Sequence, residues 1–325
     1  MAASLAPVSD ETKKLPLSIP AWLAGRLATA QIRRIVTAEA SPEEIRARLE
    51  RFSKWTTLLP RGTQINSTTL GTVPGEWLRH RSSSDAGPVL IYLHGGAYEI
   101  GSARVYRNLT SRLARATRGR VFAADYRLAP EHPYPAAVED AVAVYQVLLE
   151  SGIEAQRIFL AGDSAGGGLA LAAAIGIREL ELPRAAGLVL LSGWLDLTLS
   201  GDSISERAAR DRMLDAQTLR AAAERYAGEN LRQSMASPLF ADLTQLPPML
   251  LQVGTEEILH DDSVRLAEAA EDAGVEVELQ IGEELWHSWQ ALAGTVPEAN
   301  QAVARIARFI SDHCGHPHQD TATGE

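Results

Sequence analysis

The sequence predicts an α/β protein in which a mostly parallel sheet is flanked by helices. Short apolar runs such as "PVLIYLH", "RIFLAG" and "GLVLLSG" alternate with helical patterns along most of the chain. Strands that are apolar on both faces are typical of a sheet covered by helices on both sides. Together with a hairpin region that begins near residue 63, these runs predict a sheet of eight strands.

The composition is that of an ordinary globular protein: 325 residues, 46% hydrophobic and 22% charged, with a formal net charge of −10. Binding to a phosphate backbone relies on clustered Lys and Arg, so this charge argues against a nucleic-acid partner. Cys314 is the single cysteine, which excludes an internal disulfide and favours a reducing compartment. Neither a signal peptide nor a membrane-length apolar segment is evident, so we expect a cytoplasmic protein with no membrane partner.

Helical patterns come first, and residues 1–60 are predicted to form the N-terminal part of a helical cap. In "SPEEIRARLERF", Ser41 is the predicted N-cap and Glu44 completes a capping box. An earlier amphipathic pattern has a predicted apolar face formed by Trp22, Leu23, Leu27, Ile32 and Ile35. An apolar face must be buried, so we expect these helices to lie over one edge of the sheet, where ligand sites of open α/β folds gather.

Residues 61–193 and 238–313 carry the alternating strands and helices, and they predict one α/β domain interrupted by an insertion. The insertion, residues 194–237, is too long for a simple crossover and contains a helical pattern with Asp215 as its N-cap. We expect it to join the N-terminal helices in the cap. The polar tail, residues 314–325, is predicted to be flexible.

The segment "GDSAGG", residues 162–167, separates a predicted strand from a predicted helix. It matches G-x-S-x-G, in which a strained turn exposes a serine hydroxyl above the sheet, and it makes Ser164 the candidate nucleophile. Gly162 and Gly166 remove side chains that would collide with the adjoining strand and helix. The alternative is a simple tight turn, but the strand before it and the helix after it favour the nucleophile.

A serine nucleophile also needs donors that stabilise the oxyanion. In "YLHGGAYEIGS", Gly95 and Gly96 directly follow a predicted strand. Their N–H groups, with that of Ala165, are the expected donors. A glycine turn between strand and helix is the alternative interpretation.

The base and the acid are expected near the carboxyl ends of the last strands. His287, in "GEELWHSWQ", follows the final predicted strand and is the candidate base. Glu257, in "TEEILHDDS", is the favoured acid, because Asp261 and Asp262 suit the first turn of the next helix. Asp196, which follows the preceding strand, is the alternative acid.

Four side chains in the insertion could line a substrate pocket: Trp194, Met213, Leu214 and Tyr226. Ordinary packing within the cap is an equally good interpretation. We expect no cofactor and no metal, because the histidines around Cys314 lack a second cluster of ligands.

With these residues in place, the chain resembles the bacterial hormone-sensitive-lipase-like esterases, a family of α/β-hydrolases with a helical cap. The likeness runs from about residue 63 to 312 and includes "HGGAY", "DYRLAPEHPYPAA", "GDSAGG", "SPLFADL" and "WHSWQ". Ala97 replaces the family's commoner third glycine, and Glu257 its commoner aspartate. The resemblance implies that Ser164 is the nucleophile, Glu257 the acid and His287 the base. It also implies an oxyanion hole formed by Gly95, Gly96 and Ala165.

The implied function is a serine carboxylesterase that hydrolyses short-to-medium-chain esters through an acyl-enzyme on Ser164. An amidase or peptidase on the same triad is the nearer alternative. A non-catalytic ligand-binding protein of this fold is a more distant one, because the chain keeps His287. The expected partner is a small-molecule ester, and the chain is expected to be a monomer or a homodimer, with "VEVELQI" as an edge strand.

Overall fold

An eight-stranded sheet forms the centre of the computed structural model, which describes residues 18–36 and 40–315. The strands are β1 (Thr63–Leu70), β2 (Val73–His80), β3 (Val89–Leu93), β4 (Arg120–Ala124), β5 (Ile158–Asp163), β6 (Gly187–Leu191), β7 (Met249–Gly254) and β8 (Val277–Gly282). Their order is β1-β2-β4-β3-β5-β6-β7-β8. Strand β2 is antiparallel to both of its neighbours, and all other pairs are parallel. The predicted fold class is confirmed.

Helices cover both faces of this sheet, as predicted. The described α-helices are α1 (Ile19–Ile35), α2 (Pro42–Thr56), α3 (Arg107–Thr117), α4 (Ala136–Glu150), α5 (Ala165–Glu179), α6 (Ser203–Glu206), α7 (Ala216–Ala227), α8 (His260–Asp272) and α9 (Pro297–His313). Within β3, Val89 and Ile91 pack in a core with α4, α5 and α8. Leu90 and Tyr92 pack in a second core with α3 and α9. Successive side chains of one strand therefore enter opposite cores, which explains the continuous apolar runs.

The helix predicted around Ser41 begins as expected. In α2, Ser41 Oγ accepts the N–H of Glu44 at 3.2 Å, and the Glu44 carboxylate accepts the N–H of Ser41 at 3.1 Å. The predicted cap of α7 is also present, with the Asp215 carboxylate accepting the N–H of Thr218 at 2.8 Å. Each cap satisfies a backbone donor that the first helical turn leaves free.

Helix α1 buries only part of the predicted face: Ile35 is buried in a small core and Ile32 packs against it, but the leucines of the face are exposed. Leu23 is 51% exposed and Leu27 is 64% exposed, whereas Ala21, Gly25 and Thr29 are buried. A Cβ on Gly25 would lie 2.6 Å from the indole of Trp286, so only small residues allow the helix to approach this closely. The prediction that Leu23 and Leu27 are buried is wrong, because close helix contact rather than apolar area selects the face.

The interval 194–237 lies between β6 and β7 and contains α6 and α7. Its first residues are part of the sheet core: Trp194 and Leu195 are fully buried. The Asp262 carboxylate at the start of α8 accepts the N–H of Leu195 at 2.8 Å. Burial therefore continues from β6 into the beginning of the interval.

Some of the predicted segments extend beyond the described residues. The predicted N-terminal cap segment is described at 18–36 and 40–60, and the predicted tail only at residues 314 and 315. None of the described helices combines the length and apolar character needed to cross a bilayer.

Candidate active site

The serine predicted as nucleophile lies between β5 and α5 in a strained backbone conformation. Ser164 has φ 53° and ψ −124°, a region that glycine favours, at a cost on the order of 1–3 kcal/mol. A Cβ on Gly162 would lie 2.2 Å from Gly166 O, and one on Gly166 would lie 2.0 Å from Leu93 O. The two glycines of the motif are thus required by close backbone contacts, as the sequence predicted.

The sheet holds this turn on one side. Ser164 N donates to Leu191 O in β6 at 2.8 Å, and Trp194 N donates to Ser164 O at 2.9 Å. The side chain of Ser164 is 7% exposed. The strained conformation is therefore fixed by hydrogen bonds to the adjacent strand and the loop that follows it.

The candidate acid and base are in direct contact. His287 Nδ1 lies 2.8 Å from Glu257 Oε2, and both side chains are buried. Glu257 Oε1 accepts the Ser192 hydroxyl at 2.8 Å and the Gly254 N–H at 2.6 Å. With both carboxylate oxygens occupied, the Glu257 side chain is held in one orientation. A proton on Nδ1 leaves Nε2 of the imidazole as the free base.

Glu257 also controls the charge of the imidazole. Burial by itself lowers the pKa of His287, but the hydrogen bond to Glu257 and its negative charge outweigh burial and raise this pKa above its ordinary value. The carboxylates of Asp211 and Asp163 act in the same direction. The site therefore stabilises the imidazolium form that a general base passes through.

Hydrogen bonds bring the chain neighbours of Ser164 and His287 together. Ser288 Oγ lies 3.4 Å from Asp163 Oδ2, and Ser288 N donates to Ser192 Oγ at 3.1 Å. Ser164 Oγ has no hydrogen-bond partner within 18–36 and 40–315. A hydrogen bond between a nucleophile and its base often forms or shortens only when substrate is bound.

The geometry argues against one of the three predicted oxyanion donors. Gly95 N donates to Asp163 Oδ1 at 2.9 Å, so this N–H already has an acceptor, which disfavours Gly95 as an oxyanion donor. The backbone N–H groups of Gly96, Ala97 and Ala165 donate to no acceptor in the described part of the chain. Ala97 is a further candidate donor that the sequence pattern did not indicate, because the pattern favoured glycines whereas an oxyanion hole needs an unoccupied N–H.

The loop that carries these donors is itself strained. Gly96, Ala97 and Tyr98 have φ values of 121°, 54° and 63°. A positive φ is rare for a non-glycine residue and exceptional for a bulky one such as tyrosine. A Cβ on Gly96 would lie 2.2 Å from Ile100 O, which explains the glycine there. Such a conformation persists only where surrounding contacts hold it.

Asp163, directly before the serine, is a further site residue that the sequence reasoning did not assign. Its buried carboxylate accepts the Tyr92 hydroxyl at 2.8 Å and the Tyr106 hydroxyl at 2.9 Å, besides Gly95 N. Burial raises the pKa of Asp163, and the hydrogen bonds from Tyr92 and Tyr106 oppose that rise. Its position beside Ser164 in "GDSAGG" was the available signal.

The alternative acid, Asp196, is turned to other partners. Its carboxylate accepts the N–H groups of Thr198 at 2.8 Å and Ser200 at 3.1 Å, and it pairs with Arg265 at 3.2 Å. Burial raises the pKa of Asp196, but the hydrogen bonds from Ser200 and Thr198 outweigh it and lower this pKa overall. The structure thus joins His287 to Glu257 and not to Asp196.

The four predicted pocket residues differ in burial. Trp194 is fully buried and donates its indole N–H to Asp196 O at 3.1 Å, and Tyr226 is stacked on Tyr98 with ring centroids 3.8 Å apart. Met213 and Leu214 are half-buried, and their N–H groups both donate to Asp211. Trp194 and Tyr226 therefore have packing roles, whereas Met213 and Leu214 keep accessible surface.

The chain is similar to known hydrolases over most of its length. Residues 90–291 match a family model described as an alpha/beta hydrolase fold. An acetyl-hydrolase of Streptomyces hygroscopicus is 45% identical over 79% of this chain and 83% of its own. An esterase of Acinetobacter venetianus is 38% identical over 88% and 94%. A crystal structure of an esterase from the bacterial hormone-sensitive lipase family superposes with a TM-score of 0.85 at 39% identity, over 89% of this chain and 98% of that one.

Proposed function

The chain belongs to the bacterial hormone-sensitive-lipase-like esterases and is a carboxylic-ester hydrolase, and on this premise we propose that it acts through an acyl-enzyme on Ser164. The observation that supports the proposal is the buried Glu257–His287 hydrogen bond, together with a serine held in a strained turn and a contact between Asp163 and Ser288, the chain neighbours of the serine and the histidine. This chemistry needs an acid that orients the base, a base with one free nitrogen and a serine nucleophile.

In the first half-reaction, Ser164 Oγ attacks the ester carbonyl carbon while His287 Nε2 takes the hydroxyl proton. The carbonyl oxygen becomes an oxyanion, which accepts hydrogen bonds from the free N–H groups of Gly96, Ala97 and Ala165. The tetrahedral intermediate then collapses, and the imidazolium returns its proton to the leaving alcohol. Glu257 stabilises the imidazolium while it exists.

In the second half-reaction, His287 Nε2 takes a proton from a water molecule, which attacks the acyl carbon. The same N–H groups hold the second oxyanion. Collapse breaks the bond to Ser164 Oγ, which recovers its proton from His287, and the carboxylic acid leaves. The enzyme returns to its starting state without any other reactant.

We further propose that residues 1–60 and 194–237 form the cap, and that residues 61–193 and 238–313 form the catalytic domain. Contact between Gly25 of α1 and Trp286, next to the base, supports this division. Met213 and Leu214, which keep accessible surface, are the favoured pocket residues. The acetyl-hydrolase name of a close relative supports short acyl groups as substrates.

Ser164→Ala tests the proposal. With p-nitrophenyl acetate, we expect at least about a 10⁴-fold loss of kcat, because the nucleophile acts as one unit with its base. Mass spectrometry of wild-type enzyme quenched during turnover should show the added acyl group, and the variant should show none. The variant should melt at about the wild-type temperature or above, since it loses only a hydroxyl group and keeps the same backbone conformation.

Retained turnover in Ser164→Ala would overturn the acyl-enzyme on this residue. A series of p-nitrophenyl esters from acetate to laurate tests the chain-length proposal, which predicts that kcat/KM is highest at short-to-medium length. Matched anilides test the amidase alternative: turnover of an anilide at a rate similar to the ester would favour it.

A further inference from the structure

The strained loop that carries the oxyanion donors is held at its two ends by different parts of the molecule. We call residues 95–97 the oxyanion loop and residues 98–100 the anchor segment. Catalytic-domain residues hold the start: Asp163 accepts Gly95 N, and the Tyr126 hydroxyl donates to His94 O at 2.6 Å. The anchor segment follows directly; Ala129 N of the catalytic domain donates to Tyr98 O at 2.9 Å, and both predicted parts of the cap contact the segment.

Helix α7 contacts the anchor segment through two successive residues. The Tyr226 ring lies parallel to the Tyr98 ring, with an interplanar angle of 3°. Arg225 forms two hydrogen bonds to the buried Glu99 carboxylate, one of them at 2.9 Å. A two-point pairing between guanidinium and carboxylate fixes direction as well as distance.

The N-terminal helices contact the same segment from another side. Arg46 of α2 donates to Glu99 O at 2.6 Å and to Ala129 O at 2.7 Å. Ile100 packs against a small core in which Ile45 and Leu49 of α2 are buried. Every residue of the anchor segment therefore has a contact from the cap, and the free donors Gly96 and Ala97 lie between the two holding points.

We propose that the cap positions the oxyanion hole: Arg46, Arg225 and Tyr226 are positioning residues that hold the anchor segment and thereby keep Gly96 and Ala97 in their strained, donating conformation. This inference rests on the acyl-enzyme function proposed above. Without these contacts, Ala97 and Tyr98 can leave the positive-φ region, and the donors move away from the developing negative oxygen. The cap then acts on the transition state as well as covering the substrate.

The test uses Arg225→Met, with Arg220→Met as its matched control on the exposed side of the same helix. Because the donors act on the tetrahedral state, R225M should lower kcat for p-nitrophenyl butyrate about tenfold to a hundredfold and leave KM nearly unchanged. An alkyl trifluoromethyl ketone, which forms a tetrahedral adduct with the serine, should bind more weakly by a similar factor. Arg220→Met should match the wild type in all three values.

Two further comparisons separate positioning from general destabilisation. Tyr226→Phe keeps the ring stack and removes a hydroxyl that has no partner among the described residues, whereas Tyr226→Leu removes the stack. We expect Tyr226→Phe to keep wild-type kcat and ketone affinity, and Tyr226→Leu to lose both. Glu99→Gln combined with R225M should be no worse than either single variant, since both break one pair. The Tyr226 comparison also decides the matter if R225M does not fold.

The outcomes distinguish this inference from the proposed function. If R225M and Tyr226→Leu raise KM but leave kcat and ketone affinity at wild-type values, the cap only covers the substrate and the positioning proposal is wrong. The same holds if R225M cannot be distinguished from R220M. If the wild-type enzyme itself forms no adduct with the ketone, the acyl-enzyme proposal fails instead.

Discussion

Two buried carboxylates flank the reacting groups, and their surroundings differ. Glu257 contacts the imidazole of His287, which becomes a cation during the proposed reaction, and accepts one hydroxyl and one amide besides. Asp163 accepts only neutral donors, the hydroxyls of Tyr92, Tyr106 and Ser288 and the N–H of Gly95. The first arrangement affects charge, and the second affects geometry.

The difference shows how one site can use the same functional group for two purposes. A carboxylate beside an imidazole stabilises the protonated base and fixes its tautomer. A buried carboxylate surrounded by neutral donors is costly to ionise. It nevertheless accepts hydrogen bonds from chain segments that are distant in sequence and so holds them together. Asp163 joins β5 to the start of the oxyanion loop and, through Ser288, to the loop that carries the base.

Of the two carboxylates, Glu257 should show the larger effect, in the variant Glu257→Gln. We expect kcat to fall by about 10³ to 10⁴, because the neutral amide neither stabilises the imidazolium nor fixes its tautomer. Glu257 raises the pKa of His287, so wild-type activity should be lost as the pH falls through a midpoint above about 6.5. In the variant, this midpoint should move to lower pH. The pH profile of kcat/KM measures both values, and an unshifted midpoint would contradict the assignment.

Asp163→Asn should have the next largest effect on activity. We expect kcat to fall about tenfold to a hundredfold, because the amide keeps only one acceptor oxygen, so Gly95 and Ser288, which donate to different oxygens of Asp163, can no longer both donate to it. The pH midpoint should move only slightly, since Asp163 raises the pKa of His287 less than Glu257 and Asp211 do.

The same variant should change how stability depends on pH. The pKa of Asp163 is raised on folding, so the protonated carboxyl favours the folded state and the ionised carboxylate disfavours it. The stabilisation is complete below the unfolded-state pKa and is lost as the pH rises through the folded-state pKa. Asp163→Asn removes that dependence. Thermal melts between about pH 4 and 8 should therefore vary less for the variant than for the wild type. Identical pH dependence of the two melting temperatures would show that ionisation of Asp163 does not destabilise the folded state.

Tyr106→Phe should have a smaller effect, and mainly on stability. It removes the hydroxyl that donates to Asp163 Oδ2, and leaving a buried polar group short of a hydrogen-bond partner costs about 1–3 kcal/mol. Urea unfolding measures this loss. Tyr134→Phe is the matched control, because its hydroxyl only contacts the side chain of Gln233 at the surface. Equal effects of the two substitutions would argue against Asp163 as an anchor.

Asp196→Asn should have the smallest effect on activity. Asp196 is as deeply buried as Glu257 but has no contact with the base. Its pKa is lowered on folding, so the ionised carboxylate stabilises the folded state at pH values above the unfolded-state pKa. This stabilisation is lost as the pH falls through the folded-state pKa. The variant should be less stable at neutral pH, with an unchanged pH midpoint of kcat/KM. A shifted midpoint would restore Asp196 as the acid.

The sequence predicted the fold and the three residues of the candidate triad. Strand period, helix caps and the glycines around Ser164 depend on contacts within a few residues of one another or with adjacent strands. Gly162 is required by Gly166 O, four residues away, and Gly166 is required by Leu93 O of the adjacent strand β3. Local steric requirements of this kind leave a visible pattern in the sequence.

What the sequence could not determine was which groups are left free. The N–H of Gly95 is occupied because Asp163, 68 residues away in the chain, reaches it from the neighbouring strand. The buried face of α1 was chosen by the indole of Trp286, which only Gly25 can accommodate. The sequence by itself determined the strands, the caps and the position of the serine, because short-range sterics dictate them. Only the tertiary structure decided which N–H groups remain for the oxyanion and which carboxylate meets the base, because hydrogen-bond pairing depends on groups that folding brings together.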